Sequence, residues 1–398
     1  MSGQDSWPAL GAERRRWVPS ARAAWGVDAE RAALGTVYDS ALLPFIAGRS
    51  PRVSADVADA ADEAERELTR FDAELGSRVA AFAPVLLRSE AASSSQIENL
   101  TASARAIFSA ELGVRRSRNA EQIAANTRAM QAALDLSRDL SGESVRGMHA
   151  VLLEDQPRHT PGEWRDEPVW IGTRSDSPIG ASWVAPHDEH VPALIDDLSA
   201  FAADTSVPPL VSVAVAHAQF ETIHPFSDGN GRTGRALSQS MLRHRGVTRN
   251  VAVPVSAGLL ADVQGYHAAL TAYREGDLDP IVAQFAAASL RAVRNARELV
   301  ETIDGIRASW DERLTVRRSS GAWRLLDVLA RRPVLNSAVA ASELGVQQPN
   351  VYPPLRALVD AGIAKSKAEH QLGPFWRSDE VLAAIDAFAE RAGRRASS

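Results

Sequence analysis

His224, Asp228, Arg232 and Arg235 stand within one stretch, His224-Pro225-Phe226-Ser227-Asp228-Gly229-Asn230-Gly231-Arg232-Thr233-Gly234-Arg235, and their types suit phosphoryl chemistry. Imidazole is the side chain whose ordinary pKa lets it accept a proton near neutral pH. A carboxylate suits a hard divalent ion such as Mg2+. Two guanidinium forks three residues apart can grip phosphates bidentately, which lysines could not. Gly229 and Gly231 flank Asn230 and allow the positive-φ turns that aim consecutive amides at an anion. A helix from about Arg232 onward adds the partial positive charge of its N-terminus. Together these residues describe a polyphosphate site with a hydroxyl nucleophile beside it.

Other readings of the same letters carry less. Asp-Gly-Asn-Gly alone also fits a type I′ hairpin turn. A calcium loop needs a bidentate Glu at its twelfth position, where Gln239 stands. The Walker-A-like frame from Gly229 to Ala236 lacks the Lys and the Ser or Thr that such a loop uses.

The stretch resembles the HxFx(D/E)GNGRxxR motif of the Fic family, with every fixed position present. The resemblance implies a mainly α, helical core with ATP as substrate and Mg2+ held by Asp228. Phe226, Gly229, Asn230, Gly231, Arg232 and Arg235 would then surround the nucleotide. It also implies a protein adenylyltransferase, an AMPylase. His224 would deprotonate a target Ser, Thr or Tyr hydroxyl, which attacks the α-phosphate, leaving AMP on the protein and releasing pyrophosphate. A few relatives transfer other groups or remove AMP. A de-AMPylating enzyme, or a DNA-binding regulator with a nucleotide-sensing core, are the alternatives.

The elements that position this stretch can be read around it. Residues 1 to about 50 are expected to be irregular, with Trp7-Pro8, Trp17-Val18-Pro19 and Leu42-Leu43-Pro44-Phe45-Ile46 as apolar anchors. Val57, Ala61, Ala64, Leu68, Phe71 and Leu75 recur at helical steps, closed by Gly76. The stripe spans too few heptads for a coiled coil, so packing on the domain is expected. A second helix is expected from about Arg88 to Leu112, with Gly113 as its stop. Ser94 and Glu98, four residues apart, share a face of it. Ser93-Ser94-Ser95 breaks local helix propensity. As a pattern alone, this run is an ordinary solvated face. It is also similar to the Fic inhibitory motif (S/T)xxxE(G/N), with Ser94, Glu98 and Asn99 on the fixed positions. That resemblance implies an inhibitory helix in the same chain, whose Glu98 pairs with Arg235 and denies it to the γ-phosphate.

Residues 114–155 read as helical and Thr160–Arg165 as a loop. Val169-Trp170-Ile171 and Trp183-Val184-Ala185 are short strand candidates around a turn-rich segment. Gly162-Glu163-Trp164-Arg165 followed by such a hairpin looks like the Fic flap, which implies that Val169, Trp170, Ile171, Trp183 and Val184 dock the target backbone as an added strand. A hairpin there could also be only a loop. A helix is expected over Pro186–Ala203. Val211, Val213 and Val215 alternate and allow a strand, whereas the family resemblance favours a buried helix. A helix should follow the motif to about His244, with Val251-Ala252-Val253-Pro254 breaking it. Tyr266 is similar to an adenine-side tyrosine of the family but is equally compatible with the core, because His267 replaces the second aromatic.

A linker helix is expected near 295–318. Residues 320–398 resemble a winged helix-turn-helix. Pro349, Pro353 and Pro354 sit where its recognition helix should be, and proline costs about 3 kcal/mol inside a helix but is tolerated in the first turn. The helix should therefore begin near Pro353. With only Arg356, Lys365 and Lys367 as basic supply, DNA is the less favoured partner, and docking of a protein or of a second copy the favoured role. The tail Arg391–Ser398 is expected to fray. The expected division is a helical N-terminal region (1–112), a catalytic core (113–300), a linker helix (301–319) and a winged-helix-like domain (320–398).

The bulk chemistry agrees. The 398 residues allow two or three domains. Forty-four basic and fifty acidic residues give a net charge of −6, against a broad nucleic-acid footprint. There are no cysteines, which excludes disulfides and cysteine-ligated zinc. No secretory leader and no apolar run of membrane-spanning length is read, so a soluble, cytoplasmic protein without a membrane partner is expected.

Overall fold

The computed structural model describes residues 7–17, 36–156, 158–172, 177–368 and 372–393, and these are mainly helical, with small antiparallel sheets. Strands β1 (Gly11–Trp17) and β2 (Thr36–Leu42) precede helices α1 (Ala55–Leu75), α2 (Val79–Ile97), α3 (Ala104–Ala110), α4 (Arg118–Asp135) and α5 (Gly142–Leu153). Strands β3 (Trp170–Ile171) and β4 (Trp183–Val184) lead to α6 (Val191–Ala203), α7 (Pro209–Ile223), α8 (Asn230–His244), α9 (Val255–Leu260), α10 (Val263–Arg274) and the long α11 (Asp279–Arg313). Then follow α12 (Ala322–Arg331), β5 (Val334–Asn336), α13 (Ser337–Leu344), α14 (Tyr352–Asp360), β6 (Lys365–Ala368), β7 (Pro374–Arg377) and α15 (Asp379–Gly393).

The chain forms two compact units that interleave along the sequence. One comprises residues 1–61, 132–245 and 264–284, the other 62–131, 246–263 and 285–398. This departs from the consecutive division expected near 112, 300 and 319. Four of the five crossings, at 61–62, 131–132, 263–264 and 284–285, fall inside helices, so the unit boundaries do not follow breaks between elements. The linker expected at 301–319 is the second half of α11 plus a turn. Val300, Ile303 and Trp310 are buried there, so that half is packed and not a tether.

In the first unit, α7 lies at the centre, with every residue from Leu210 to Ile223 buried. A helix buried all round has no polar face, so its periodicity says little. The alternation of Val211, Val213 and Val215 therefore belongs to a helix interior, not a strand. Helix α8 packs closely on α7 at Gly234, where a Cβ would stand 2.8 Å from Phe220 Cδ1 and 2.9 Å from Glu221 Oε1. Residues 11–17 and 36–42, expected to be irregular, instead form an antiparallel pair, from Gly11 opposite Leu42 to Trp17 opposite Thr36. The run Glu13-Arg14-Arg15-Arg16 hid this strand, since charge on both faces masks a period of two. The pair buttresses β3–β4. Ser40 Oγ donates to the Ala185 carbonyl at 2.9 Å, and Trp17 meets Trp170 edge-on at 5.7 Å.

In the second unit, α1 buries Ala64, Leu68, Phe71 and Leu75 as its stripe predicts. The single helix expected over 88–112 is two. Helix α2 starts earlier, ends at Ile97, and turns through Asn99 at φ 60° before α3 restarts behind the Ser103 cap. Leu100 N–H bonds the Ser95 carbonyl at 3.0 Å and Asn99 N–H bonds Gln96 at 2.9 Å, which is a Schellman closure with Asn in the left-handed position. Buried carboxylates organise this unit. Asp72 accepts the main-chain N–H groups of Arg249, Asn250 and Val251, and Glu90 accepts both Ser256 N–H and its hydroxyl.

Helix α9 meets α11 with backbone nearly on backbone. A Cβ at Gly258 would lie 2.0 Å from the Ala288 carbonyl oxygen. Gly258→Ala is therefore expected to destabilise the chain by about 1–3 kcal/mol, read as a lower denaturant midpoint; an unchanged midpoint would contradict the close approach.

Residues 320–393 place β7 between β5 and β6, all antiparallel, with helices α12, α13 and α14 preceding β6. Helix α14 begins at Tyr352, with Pro353 and Pro354 in its first turn. Residues 394–398 of the tail lie outside the described residues.

Candidate active site

The site starts at the C-terminus of α7. His224 caps that helix in the left-handed conformation (φ 52°, ψ 59°), its N–H on the Phe220 carbonyl at 2.9 Å. A non-glycine residue there costs on the order of 1–2 kcal/mol, so something must hold it. Arg165 does. Its N–H bonds the Pro225 carbonyl at 3.0 Å and its Nε bonds the His224 carbonyl at 2.8 Å. The same guanidinium reaches the Ile223, Pro186 and Glu167 carbonyls. Burial pulls its pKa down to about 10, which leaves it charged at neutral pH. A fixed cation at a helix C-terminus also matches the helix dipole. His224 Nδ1 lies 3.4 Å from the Glu221 carbonyl. A carbonyl only accepts, so the proton belongs on Nδ1, and Nε2 is the basic nitrogen.

The loop after His224 is braced from both sides. Asn230 Oδ1 accepts Phe226 N–H at 2.9 Å, and its Nδ2 donates to the Phe226 carbonyl at 2.7 Å. The Phe226 ring stacks on His149, centroids 3.6 Å apart and planes 6° from parallel. His149 Nδ1 accepts Gly162 N–H at 2.9 Å, so its proton sits on Nε2, which donates to the Asp228 carbonyl at 3.1 Å. Gly229 (φ 77°) completes the turn; besides the positive φ, a Cβ would press Leu152 Cδ2 at 3.0 Å. Helix α8 then starts at Asn230, and the N–H groups of its first turn that lack partners inside the helix make an end suited to an anion.

Around this N-terminus, Arg232 and Arg235 are 4% and 2% exposed. Arg232 Nη2 lies 3.3 Å from Asp228 Oδ2. The Asp228 side chain is 40% exposed, with His159 Nε2 3.8 Å from the same oxygen. One half-exposed carboxylate beside a helix N-terminus fits Mg2+, which takes one or two carboxylates and completes its shell with phosphate and water. Strands β3 and β4 pair Trp170 with Val184 and Ile171 with Trp183. Ala185 N–H adds a bond to the Val169 carbonyl at 3.0 Å, and Ile171 is 53% exposed. The Trp183 ring meets His224 edge-on at 6.2 Å, and the Arg274 guanidinium lies 4.1 Å from the Trp183 centroid.

The motif residues and the β3–β4 pair are thus brought together in the first unit. Tyr266 is in its core, 2% exposed, its hydroxyl donating to His217 Nε2 at 2.7 Å. His217 passes its Nδ1 proton toward Ser238, whose hydroxyl donates to the Gly234 carbonyl. Asn230, expected at the nucleotide, has its side-chain amide engaged in closing its own loop. Ser94, Glu98 and Asn99 belong to the second unit, where Ser94 is buried, Glu98 is the exposed cap of α2 and Asn99 supplies the left-handed turn.

Sequence reading missed His149, His217 and Arg274 and gave Arg165 no role. The one signal available was a histidine on an apolar helix face at each of 149 and 217. Burial lowers His149 to about 4 and, with help from the Arg235 charge, His217 to about 3. Both stay neutral in the folded state, while unfolded imidazoles take protons below about pH 6.5. The unfolded state then binds more protons, so stability rises with pH. This contribution is fully present above pH 6.5 and is lost as pH falls toward 4, by up to about 1.4 kcal/mol per pH unit for each imidazole. His149→Asn should flatten the pH dependence of the denaturant midpoint between pH 6.5 and 4; an identical slope would contradict a neutral, buried His149.

Residues 139–242, which carry this site, match the Fic/DOC family model. The chain contains a Fic domain. Among curated proteins, the chain is similar to protein adenylyltransferase fic-1 of Caenorhabditis elegans, 28% identical over 182 residues, 46% of this chain and 34% of that one. Its Caenorhabditis briggsae counterpart is 27% identical over 167 residues, 42% and 31% of the two chains. The chain therefore spans about a third of the length of these relatives. Among solved structures, a Fic family protein from Desulfovibrio desulfuricans G20 superposes with a TM-score of 0.52 at 20% identity, over 82% of this chain and 97% of that one. That likeness is one of fold, and it extends beyond the Fic domain. No helix among the described residues is long and apolar enough to cross a membrane.

Proposed function

We propose that this chain is a protein adenylyltransferase, which moves AMP from ATP to a hydroxyl of a target protein and of itself. The observation that carries the reading is the convergence, at the α7–α8 junction, of His224 with the amide-bearing N-terminus of α8 and two buried arginines. The names of the two curated relatives agree with it.

Nε2 of His224 takes the proton of the attacking hydroxyl. The oxygen forms a bond to the α-phosphorus in line, the bond from that phosphorus to the bridging oxygen breaks, and pyrophosphate leaves. Negative charge that develops on the phosphoryl oxygens meets the α8 amides, already oriented and needing no reorganisation. Arg232 and Arg235 hold the phosphates. Mg2+, when held by Asp228, neutralises phosphate charge. Arg165 and Asn230 act on neither substrate; they hold His224 and the loop in position. Trp183 limits how the His224 ring can turn. The exposed strand edge at Ile171 supplies main-chain groups for the target.

Autoinhibition by Glu98 is part of the proposal and rests on the motif resemblance at Ser94, Glu98 and Asn99. A cytoplasmic setting is proposed from the lack of cysteine. The test is intact-mass analysis of the Glu98→Gly chain after incubation with ATP and Mg2+. A mass gain of one adenylyl unit, with pyrophosphate released, is expected. No adduct, or one the size of a phosphate, overturns the reading.

A further inference from the structure

A cavity of about 260 Å3 opens in the second unit between α9, α11 and α15. Ala257, Ala261 and Ala392 line it with small side chains, which keeps it open. Its polar wall is unusual in sign. Arg291, Arg294 and Arg391 face a single lining carboxylate, Glu298, with Asp262 near Arg291 as a further acidic group. Arg291, Arg294 and Glu298 recur at helical steps along one face of α11. Arg291 and Arg294 are close enough for each charge to oppose the other. Like charges one turn apart weaken a helix, so the Arg291–Arg294 pair by itself costs stability that a bound anion would offset.

Two of the forks are already oriented. Arg291 donates through Nε and Nη2 to the Gly258 carbonyl, at 3.2 and 3.0 Å, which fixes its plane. Arg391 donates to Asn295 Oδ1 at 2.7 Å and meets Glu298 Oε1 at 3.0 Å. Arg294 is exposed. Preoriented guanidinium planes match oxyanion groups bidentately, and orientation fixed in advance lowers the cost of binding. The volume lies just under the range of drug-sized pockets, which points to a small ligand.

We infer that this cavity binds a small polyanion carrying two or more phosphate or carboxylate groups. Arg294 recruits the ligand, Arg291 seats it, and Arg391 exchanges Glu298 for it. The cavity also adjoins the end of α2. Its wall α15 ends at Gly393, where a Cβ would stand 3.3 Å from Gln96 Nε2, two residues before Glu98.

The test is calorimetric titration of the full chain with citrate and, separately, with inorganic pyrophosphate, each repeated at raised salt to remove diffuse attraction. Arg294→Glu is expected to weaken binding of at least one probe about tenfold or more, and Glu298→Gln to tighten it. The anion that responds identifies carboxylate or phosphate as the ligand class. The exposed position of Arg294 makes its substitution safe for folding, and Glu298→Gln is a gain that misfolding cannot imitate. If neither probe binds, or both bind equally to the unmodified chain and Arg294→Glu, the site does not exist.

Discussion

Replacing His224 with Ala in the Glu98→Gly background is expected to reduce transfer of AMP by roughly 10^2- to 10^4-fold, the usual worth of a positioned general base. The loop should survive the change. Its conformation is set by Arg165 on the carbonyls of residues 223–225 and by Asn230 on Phe226, not by the imidazole. The left-handed φ at position 224 is a complication, because alanine adopts it less readily than asparagine. His224→Asn is therefore the matched variant, folding as well as the parent while lacking an effective base. Both variants should keep ATP affinity within a few-fold, since the phosphate grips lie on α8. Retention of transfer in either would remove His224 from the chemistry.

The second large effect runs in the opposite direction. Glu98→Gly alone should raise self-labelling by at least about tenfold, which needs only about 1.4 kcal/mol of bias between inhibited and productive states. One charge pair can supply that. The substitution is mild for the fold. Glu98 caps α2 at φ −89°, ψ 19° and is exposed, and glycine is well accepted at a helix end. Its denaturant midpoint should stay near that of the parent chain. Equal labelling by the two chains would dismiss Glu98 as an inhibitor while leaving the catalytic reading intact.

What could be read from the amino acids alone follows from how local the causes are. The stretch from His224 to Arg235 was legible because its chemistry lies in side-chain types at fixed short spacings, and α8 follows from it directly. The β3–β4 pair was legible because aromatic and β-branched residues flank a turn-rich segment. Helix α7 was ambiguous because it has no polar face to mark its period. The break at Asn99 was hidden because a single left-handed residue suffices to make it. The β1–β2 pair was masked by Glu13–Arg16. Arg165 shows the general difficulty. It holds His224 through main-chain carbonyls, one of them 59 residues away, and a carbonyl leaves no trace in the residue alphabet. His149 is similar, gripping one amide and one carbonyl.

The central claim is that the α7–α8 junction directs a hydroxyl to the α-phosphorus of ATP. It is tested most directly by incubating Glu98→Gly with ATP labelled at either the α or the γ position and counting what stays on the protein. Label retained from the α position, none from γ, and none from either once His224 is replaced is the predicted result. Retention from γ alone, or labelling that ignores His224, would contradict the account.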